Sequence, residues 1–330
     1  MAWAHTYSIV ARDAASGEMG VAVQSHYFSV GSIVSWAEAG VGAVATQSLV
    51  KVEYGPEGLA LMREGKTARE ALETLLHADD EREVRQVAMV DARGNVAVHT
   101  GSKAIPDAGH ATGEGFAVQA NLMIADSIWP AMKTAYEKAE GNLADRMIAT
   151  LQAGQAAGGD IRGQQSAAIV VVAGQRQEQP WQGRLIDLRV EDHPRPVEEL
   201  RRLLQLHRAY KLATESDDMM AIGKWEEAER AMAGAVALAP EIVELRFWYA
   251  LNLLQSGREA EALKRFRDVF QEEPVWRELL PRLVTVGLFP DDHALLQRAL
   301  APAPTTEGRP LGLTTDEGRR TEDERPITDY

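Results

Sequence analysis

The segment Thr6-Tyr-Ser-Ile-Val-Ala-Arg12 is followed by Asp13-Ala-Ala-Ser-Gly-Glu18 and then by Met19-Gly-Val-Ala-Val-Gln-Ser25. Two runs of mainly apolar residues flank a turn that contains Asp and Gly, which is the pattern of a β-hairpin. The apolar residues in these runs are nearly continuous rather than alternating, which is typical of strands covered on both faces. This stretch therefore predicts a hairpin inside a layered domain.

Beyond this hairpin, blocks of predicted strands are separated by pairs of predicted helices. Thr67 and Glu70 have the spacing of a capping box and predict the start of one of these helices. The predicted elements are strands over 33–37 and 41–48, helices over 57–63 and 67–77, strands over 84–91, 96–100 and 115–121, helices over 126–140 and 143–156, strands over 166–173 and 184–190, and a helix from Pro196. Hairpin-linked strands with helix pairs between them favour a four-layer αββα sandwich, because a doubly wound fold needs regular βαβ alternation.

The region that follows contains an internal repeat. Gly223, Trp225, Ala228, Met232, Ala235 and Pro240 recur 34 residues later as Gly257, Glu259, Ala262, Phe266, Val269 and Pro274. This is the tetratricopeptide period, with small residues where paired helices touch. We predict an α+β sandwich domain over residues 1–208, an all-α tetratricopeptide-like module over 209–300, and a tail over 301–330 whose polar composition indicates disorder.

The composition argues against several classes of function. The net charge of −14 and the lack of a clustered Lys/Arg face argue against nucleic acid as a partner. The chain has no cysteine, which excludes disulfides, thiolate zinc sites and a Cys nucleophile, and favours a reducing compartment. Residues 1–5 lack a signal-peptide pattern, and no apolar run has the length of a membrane span. We predict a cytoplasmic protein without membrane partners, and leave homo-oligomerisation open.

Six stretches of the chain carry a family resemblance: Thr6-Tyr-Ser-Ile-Val-Ala-Arg-Asp13, Gly40-Val-Gly-Ala-Val-Ala-Thr-Gln-Ser48, Tyr54-Gly-Pro-Glu-Gly58, Gly113-Glu-Gly-Phe-Ala-Val-Gln-Ala-Asn121, Gly158-Gly-Asp-Ile-Arg-Gly-Gln-Gln-Ser-Ala-Ala168 and Asp187-Leu-Arg-Val-Glu-Asp-His-Pro194. Together they resemble the bacterial family called domain of unknown function 1028, over about residues 6–208. That family is grouped by fold with the N-terminal-nucleophile (Ntn) hydrolases. The resemblance therefore implies an Ntn-hydrolase-like fold, and it supports this fold far better than it supports any particular reaction.

Thr6 is the candidate nucleophile that the resemblance implies. In Ntn hydrolases a residue at the head of the first strand attacks an amide carbonyl, and its own α-amine, with a pKa of about 7.7–8, accepts the proton. Because His5 precedes Thr6 here, catalysis requires cleavage of the His5–Thr6 bond by self-processing or by a peptidase. The alternative is that Thr6 is an ordinary β-branched strand residue after an uncut segment.

The predicted hairpin places two more candidates near Thr6. If Arg12 pairs with Met19, then Ser25 lies opposite Thr6, and His26 is adjacent to it. Proteasome-type Ntn hydrolases have an acidic residue in this region and a lysine on a later strand. Here Ser25 is not acidic and no lysine precedes Lys51, so a proteasome-like mechanism is not expected in detail. A surface role at the end of the strand is the alternative for His26.

Other polar residues at strand ends and in a glycine-rich loop are candidates for substrate contacts. Asn121, Gln47 and Ser48 could provide donors for a developing oxyanion or could simply cap strands. Asp160 and Arg162 precede a buried strand, where Arg162 could bind a substrate carboxylate or the pair could staple a turn. We expect no metal site and no cofactor.

Two function classes remain open. The first is an amidohydrolase with Thr6 as its nucleophile, acting on a small amide or a peptide-like bond. The second is a non-catalytic module that keeps the fold, with the helical repeats docking a protein partner.

Overall fold

The structure of the protein, a computed structural model, describes residues 2–302, with side chains from His5 onward. The chain is mixed α+β in its N-terminal part and helical in its C-terminal part. It divides into two compact units, one up to Glu215 with Ala237–Ala239, and one of Ser216–Val236 with the residues from Pro240 onward. Most of the predicted disordered tail, from residue 303 onward, lies outside the described residues.

The first unit is built on eleven described strands: β1 (Ala2–Ala4), β2 (Thr6–Arg12), β3 (Met19–Ser25), β4 (Ser35–Glu38), β5 (Gly42–Val50), β6 (Arg85–Asp91), β7 (Val96–Thr100), β8 (Gly109–Gly113), β9 (Phe116–Ala120), β10 (Ser166–Val172) and β11 (Arg184–Val190). The described helices are α1 (Gly31–Val34), α2 (Tyr54–Arg63), α3 (Ala68–His77), α4 (Ile128–Lys138), α5 (Leu143–Ala156), α6 (Pro196–Ala221), α7 (Trp225–Leu238), α8 (Val243–Gln255), α9 (Glu259–Glu272), α10 (Leu279–Thr285) and α11 (His293–Leu300). The capping box at Thr67 is present at the start of α3, as predicted.

The strands form two antiparallel sheets. One has the order β1-β5-β6-β7, with β4 also paired to β5, and the other has the order β11-β10-β3-β2-β9-β8. In the β2–β3 hairpin, Arg12 pairs with Met19 and Thr6 pairs with Ser25, which confirms the register expected from the sequence. This register brings the beginning of β2 beside the end of β3.

Alternating side chains on β2 pack into two different apolar cores. Tyr7 and Ile9 join a core with residues of α4 and α5, whereas Val10 joins the core between the two sheets. Successive Cβ atoms on a strand point to opposite faces, which produces this division. On the outer face of the other sheet, Val44 packs in a core with Leu59 of α2 and residues of α3. Helices therefore cover the outer face of each sheet, and the inner faces pack against each other.

Three short elements differ from the sequence-based expectation. β1 is a strand within the segment that precedes Thr6, and α1 occupies part of the strand predicted over 33–37. β8, which contains His110, lies between the strands predicted over 96–100 and 115–121, where no strand was predicted. β8 contains two glycines, and Thr112 is its single residue of a type enriched in strands, so the short segment carries a weak strand signal and its backbone pairs with β9.

In the helical unit, the sequence repeat corresponds to a structural recurrence. α7 and α9 contain 14 residues each. Gly223 and Gly257 precede them with left-handed φ values of 75° and 79°, which glycine adopts without strain. The repeated apolar positions are buried in both helices: Ala228, Met232 and Ala235 in α7, and Ala262, Phe266 and Val269 in α9. Among the described residues, no helix combines the length and the apolar character needed to cross a bilayer.

Candidate active site

The layer between the two sheets changes from apolar to polar toward one end of β2. Val10 lies in the apolar core, whereas Ser8 and Thr6, on the same face of the strand, are fully buried polar residues. Ser25 lies opposite Thr6 at the end of β3, and the Asn121 backbone N–H donates to the Thr6 carbonyl oxygen over 3.1 Å. Three neighbouring strands therefore gather buried polar groups around the head of β2.

Thr6, Ser25 and the carbonyl of His5 form a hydrogen-bonded chain. The Thr6 hydroxyl donates to Ser25 Oγ over 3.2 Å. Ser25 Oγ in turn donates to the His5 carbonyl oxygen over 2.6 Å. Loss of the Thr6 proton can thus be linked, through Ser25, to stabilisation of charge on the carbonyl that precedes Thr6.

Arg162 provides a second donor to the same carbonyl. Its Nη2 donates to the His5 carbonyl oxygen over 2.8 Å and to Asp160 Oδ2 over 2.6 Å. The Asp160 side chain is fully buried and also accepts from the backbone N–H of His26 over 3.3 Å. Asp160 therefore staples the glycine-rich loop and positions Arg162 on a carbonyl oxygen, whereas binding of a substrate carboxylate by Arg162 stays a prediction. Two donors therefore meet on one carbonyl oxygen, which is the type of donor pair that an oxyanion hole uses.

Asn121 and Gln47 contact the backbone on the other side of Thr6. The Thr6 carbonyl oxygen accepts from Gln47 Nε2 over 3.0 Å and from Asn121 Nδ2 over 3.5 Å. Asn121 Oδ1 lies 2.8 Å from Nδ1 of the buried His5 ring. These two amides therefore hold the Thr6 backbone and the His5 side chain in place, while the His5 carbonyl is held by Ser25 and Arg162.

His26 contacts the site through its backbone N–H, and Ser48 lies next to the site through strand pairing. His26 follows Ser25 and contributes its N–H to Asp160, while its side chain is partly exposed. Ser48 is buried on β5, where it pairs with Ala4 on one edge and with Arg85 on the other. Its φ of 73° is left-handed, which is uncommon for a residue other than glycine.

A network of buried amides behind the site was not anticipated from the sequence. Gln86 Oε1 accepts from Gln47 Nε2 over 2.7 Å and from Asn121 Nδ2 over 2.9 Å. Ser8 Oγ donates to Gln47 Oε1 over 2.6 Å, and Gln119 Nε2 donates to the Ala45 carbonyl oxygen over 3.1 Å. The sequence could have predicted that Ser8 lies near the site, because Ser8 is two residues after Thr6 and therefore on the same face of the strand.

Burial changes the pKa of the His5 ring, which lies next to Thr6. Desolvation lowers the pKa of His5 from its ordinary value of 6.5, and the nearby positive charge of Arg162 acts in the same direction. The hydrogen bond to Asn121 Oδ1 and the negative charge of Asp160 oppose this shift. The His5 ring is therefore neutral at physiological pH, so Arg162 provides the positive charge near the His5 carbonyl.

Comparison with known proteins identifies the family. Residues 6–200 match a family described as a family of unknown function, DUF1028. A crystal structure of a DUF1028 protein from Silicibacter pomeroyi is similar to this chain, with a TM-score of 0.55 and 28% sequence identity, covering 61% of this chain and 88% of that chain. No curated protein matches the chain. The matched segment contains Thr6, Ser25, Asn121, Asp160 and Arg162, and the chain belongs to the DUF1028 family.

Proposed function

We propose that the first unit is an Ntn-hydrolase-like αββα sandwich and that Thr6 is the nucleophile of an amidohydrolase after the His5–Thr6 bond is cut. One observation carries the proposal. The His5 carbonyl oxygen accepts from Ser25 Oγ at 2.6 Å and from Arg162 Nη2 at 2.8 Å, and the next residue bears a hydroxyl. An amide carbonyl that is polarised next to a hydroxyl is prepared for intramolecular attack.

The proposed first reaction is self-cleavage. Thr6 Oγ1 attacks the His5 carbonyl carbon, and Ser25 and Arg162 stabilise the negative charge that forms on the oxygen. The C–N bond breaks, the Thr6 nitrogen takes up a proton, and an ester joins the His5 carbonyl carbon to Thr6 Oγ1. Water hydrolyses this ester, which gives a His5 carboxylate and a free Thr6 amine.

The proposed second reaction is hydrolysis of an amide substrate at the same place. The free Thr6 amine, with a pKa of about 7.7–8 for an ordinary α-amine, accepts the proton of the Thr6 hydroxyl. The hydroxyl oxygen attacks a substrate carbonyl that occupies the former position of the His5 carbonyl. The leaving amine takes the proton, and water then releases the acyl group from Thr6. No cofactor takes part in this scheme.

We further propose that the helical unit is tetratricopeptide-like and docks a protein partner. The matching lengths of α7 and α9 and the recurrence of their buried positions support the tetratricopeptide-like part of this proposal. Partner docking has no role in the cleavage scheme. A result that contradicts docking therefore leaves Thr6 catalysis in place, and the reverse also holds.

The non-catalytic module is the competing function, and one observation favours it. Thr6 is fully buried, and its polar neighbours hydrogen-bond one another within the fold. Intact-mass measurement on the purified chain separates the two. Loss of residues 1–5 in the wild type, but not in Thr6→Ala, supports the hydrolase, whereas a wild-type chain that stays uncut favours the module.

A further inference from the structure

The backbone before Thr6 crosses from one sheet to the other. β1 pairs antiparallel with the end of β5, where Ala2 lies opposite Val50 and Ala4 lies opposite Ser48. β2, which starts at Thr6, belongs to the other sheet. His5 therefore joins two sheets, and the proposed scissile bond lies at this crossing.

Among the described strands, only β1 pairs with this edge of β5 at its C-terminal end. β6 pairs with the opposite edge of β5 as far as Ser48, and β4 pairs with the same edge as β1 only from Gly42 to Ala45. Release of β1 after cleavage would leave the backbone of Ser48 to Val50 open to an added strand on that edge. Extended peptides bind to such edges by strand addition.

From this placement we propose that β1 and His5 occupy the substrate position, and that the cleaved enzyme acts on peptides that bind as an added strand along Ser48–Val50 of β5. The proposal rests on the function proposed above and specifies its substrate class. A substrate carbonyl held by Ser25 and Arg162 would continue toward its N-terminus along the path of Ala4 to Ala2.

The surroundings of the His5 ring define the preference for the residue before the cleaved bond. Gln86 Nε2 donates to the Ala120 carbonyl oxygen over 2.9 Å. This hydrogen bond orients the Gln86 amide so that Gln86 Oε1 faces Asn121 Nδ2. Asn121 must then present Oδ1 to the His5 ring, 2.8 Å away. A carbonyl oxygen accepts only, so this subsite selects a side chain with a hydrogen-bond donor.

An apolar residue at this position leaves the buried Asn121 oxygen without a donor, because Asn121 is fully buried. Such an unpaired acceptor costs about tenfold or more in binding. Histidine is therefore preferred to leucine before the cleaved bond. The preference arises from the amide network and does not require a charged substrate.

The test uses protein that is expressed as the full chain and shown by mass to have lost residues 1–5. The probes are fluorogenic coumarin amides. The first probe is acetyl-Ala-Trp-Ala-His, which copies residues 2–5. The others are acetyl-Ala-Trp-Ala-Leu, acetyl-His alone, and the first peptide with N-methyl groups on its three backbone nitrogens before His. We expect kcat/KM for the first probe to exceed that for each of the others by about tenfold or more.

The outcomes separate this inference from the proposed function. Equal turnover of the N-methylated and unmethylated peptides, or of acetyl-His and the full peptide, would overturn strand addition while leaving Thr6 catalysis in place. Equal turnover of the His and Leu peptides would overturn the role assigned to Asn121. A chain that never cleaves and turns over no probe would overturn both proposals.

Discussion

The Arg162 guanidinium donates to the His5 carbonyl oxygen over 2.8 Å, although 157 positions separate the two residues in the sequence. The contact depends on Asp160, whose buried carboxylate holds the guanidinium by hydrogen bonds to Nε and Nη2 of 3.0 and 2.6 Å. A positive group is thus fixed on the carbonyl that Thr6 would attack. This relationship is the physical basis of the self-cleavage proposal.

Replacing Arg162 with Lys is expected to slow self-cleavage by about 10²- to 10³-fold, the usual effect of losing one oxyanion donor. A lysine ammonium keeps the charge beside Asp160 but lacks the planar fork that contacts Asp160 and His5 together. The rate is measured by intact mass after refolding from denaturant. Arg189→Lys, at a more exposed ion pair with Asp187, is the matched control and should cleave at the wild-type rate. Wild-type cleavage by Arg162→Lys would contradict the role given to this side chain.

Replacing Ser25 with Ala is expected to reduce the cleavage rate by on the order of 10²-fold, because it removes both the 2.6 Å donor to His5 and the acceptor of the Thr6 proton. Ser166→Ala is the control, since this serine is equally buried on the neighbouring β10 but donates to the Tyr27 carbonyl oxygen. Both variants lose a buried hydroxyl, so melting temperatures show whether folding is comparably affected. Equal cleavage rates in the two variants would argue against a specific function of Ser25.

The sequence was sufficient to predict the pairing that places Ser25 opposite Thr6. The turn between Arg12 and Met19 determines the register of the hairpin. Because successive side chains of a strand point to opposite faces, this register also determines which residues share a face. The order of strands and helix pairs likewise predicted an α+β domain with antiparallel sheets, and the structure has both.

The remainder of the site depends on contacts that no local pattern encodes. Gln86 and Asn121 meet because the inner faces of two sheets pack together, and their register is set by the whole core. Arg162 reaches His5 because Asp160 folds the glycine-rich loop back toward the start of β2. β1 was not predicted, since its three residues pair only with a distant strand.

The stability of the uncut chain is expected to decrease as the pH falls below about 6.5, partly because of His5. Burial lowers the pKa of His5 in the folded state, so the unfolded state binds more protons between that lowered value and the ordinary value of 6.5. His5→Gln in a Thr6→Ala background should therefore lose less stability than Thr6→Ala alone between about pH 7.5 and 5.5. Chemical denaturation at several pH values measures this difference. Identical pH dependence of the two proteins would contradict it.

Removing the helical unit is expected to leave a folded first unit. The division falls inside α6, between Glu215 and Ser216, and the early part of this helix packs into the first unit through Val197, Leu200 and Leu204. A fragment of residues 1–216 should therefore melt cooperatively and retain any self-cleavage. Circular dichroism and calorimetry test this expectation, and a non-cooperative melt would contradict the two-domain organisation.

The most direct test of the claim that Thr6 cuts the bond before it is the intact mass and N-terminal sequence of the refolded wild type, Thr6→Ala and Thr6→Ser. The wild type should lose residues 1–5 and begin at Thr6. Thr6→Ser should do so more slowly, since it keeps an oxygen nucleophile, and Thr6→Ala should remain uncut with nearly the same melting temperature. Cleavage of Thr6→Ala at the wild-type rate, or a wild-type chain that remains intact after prolonged incubation, would contradict the account.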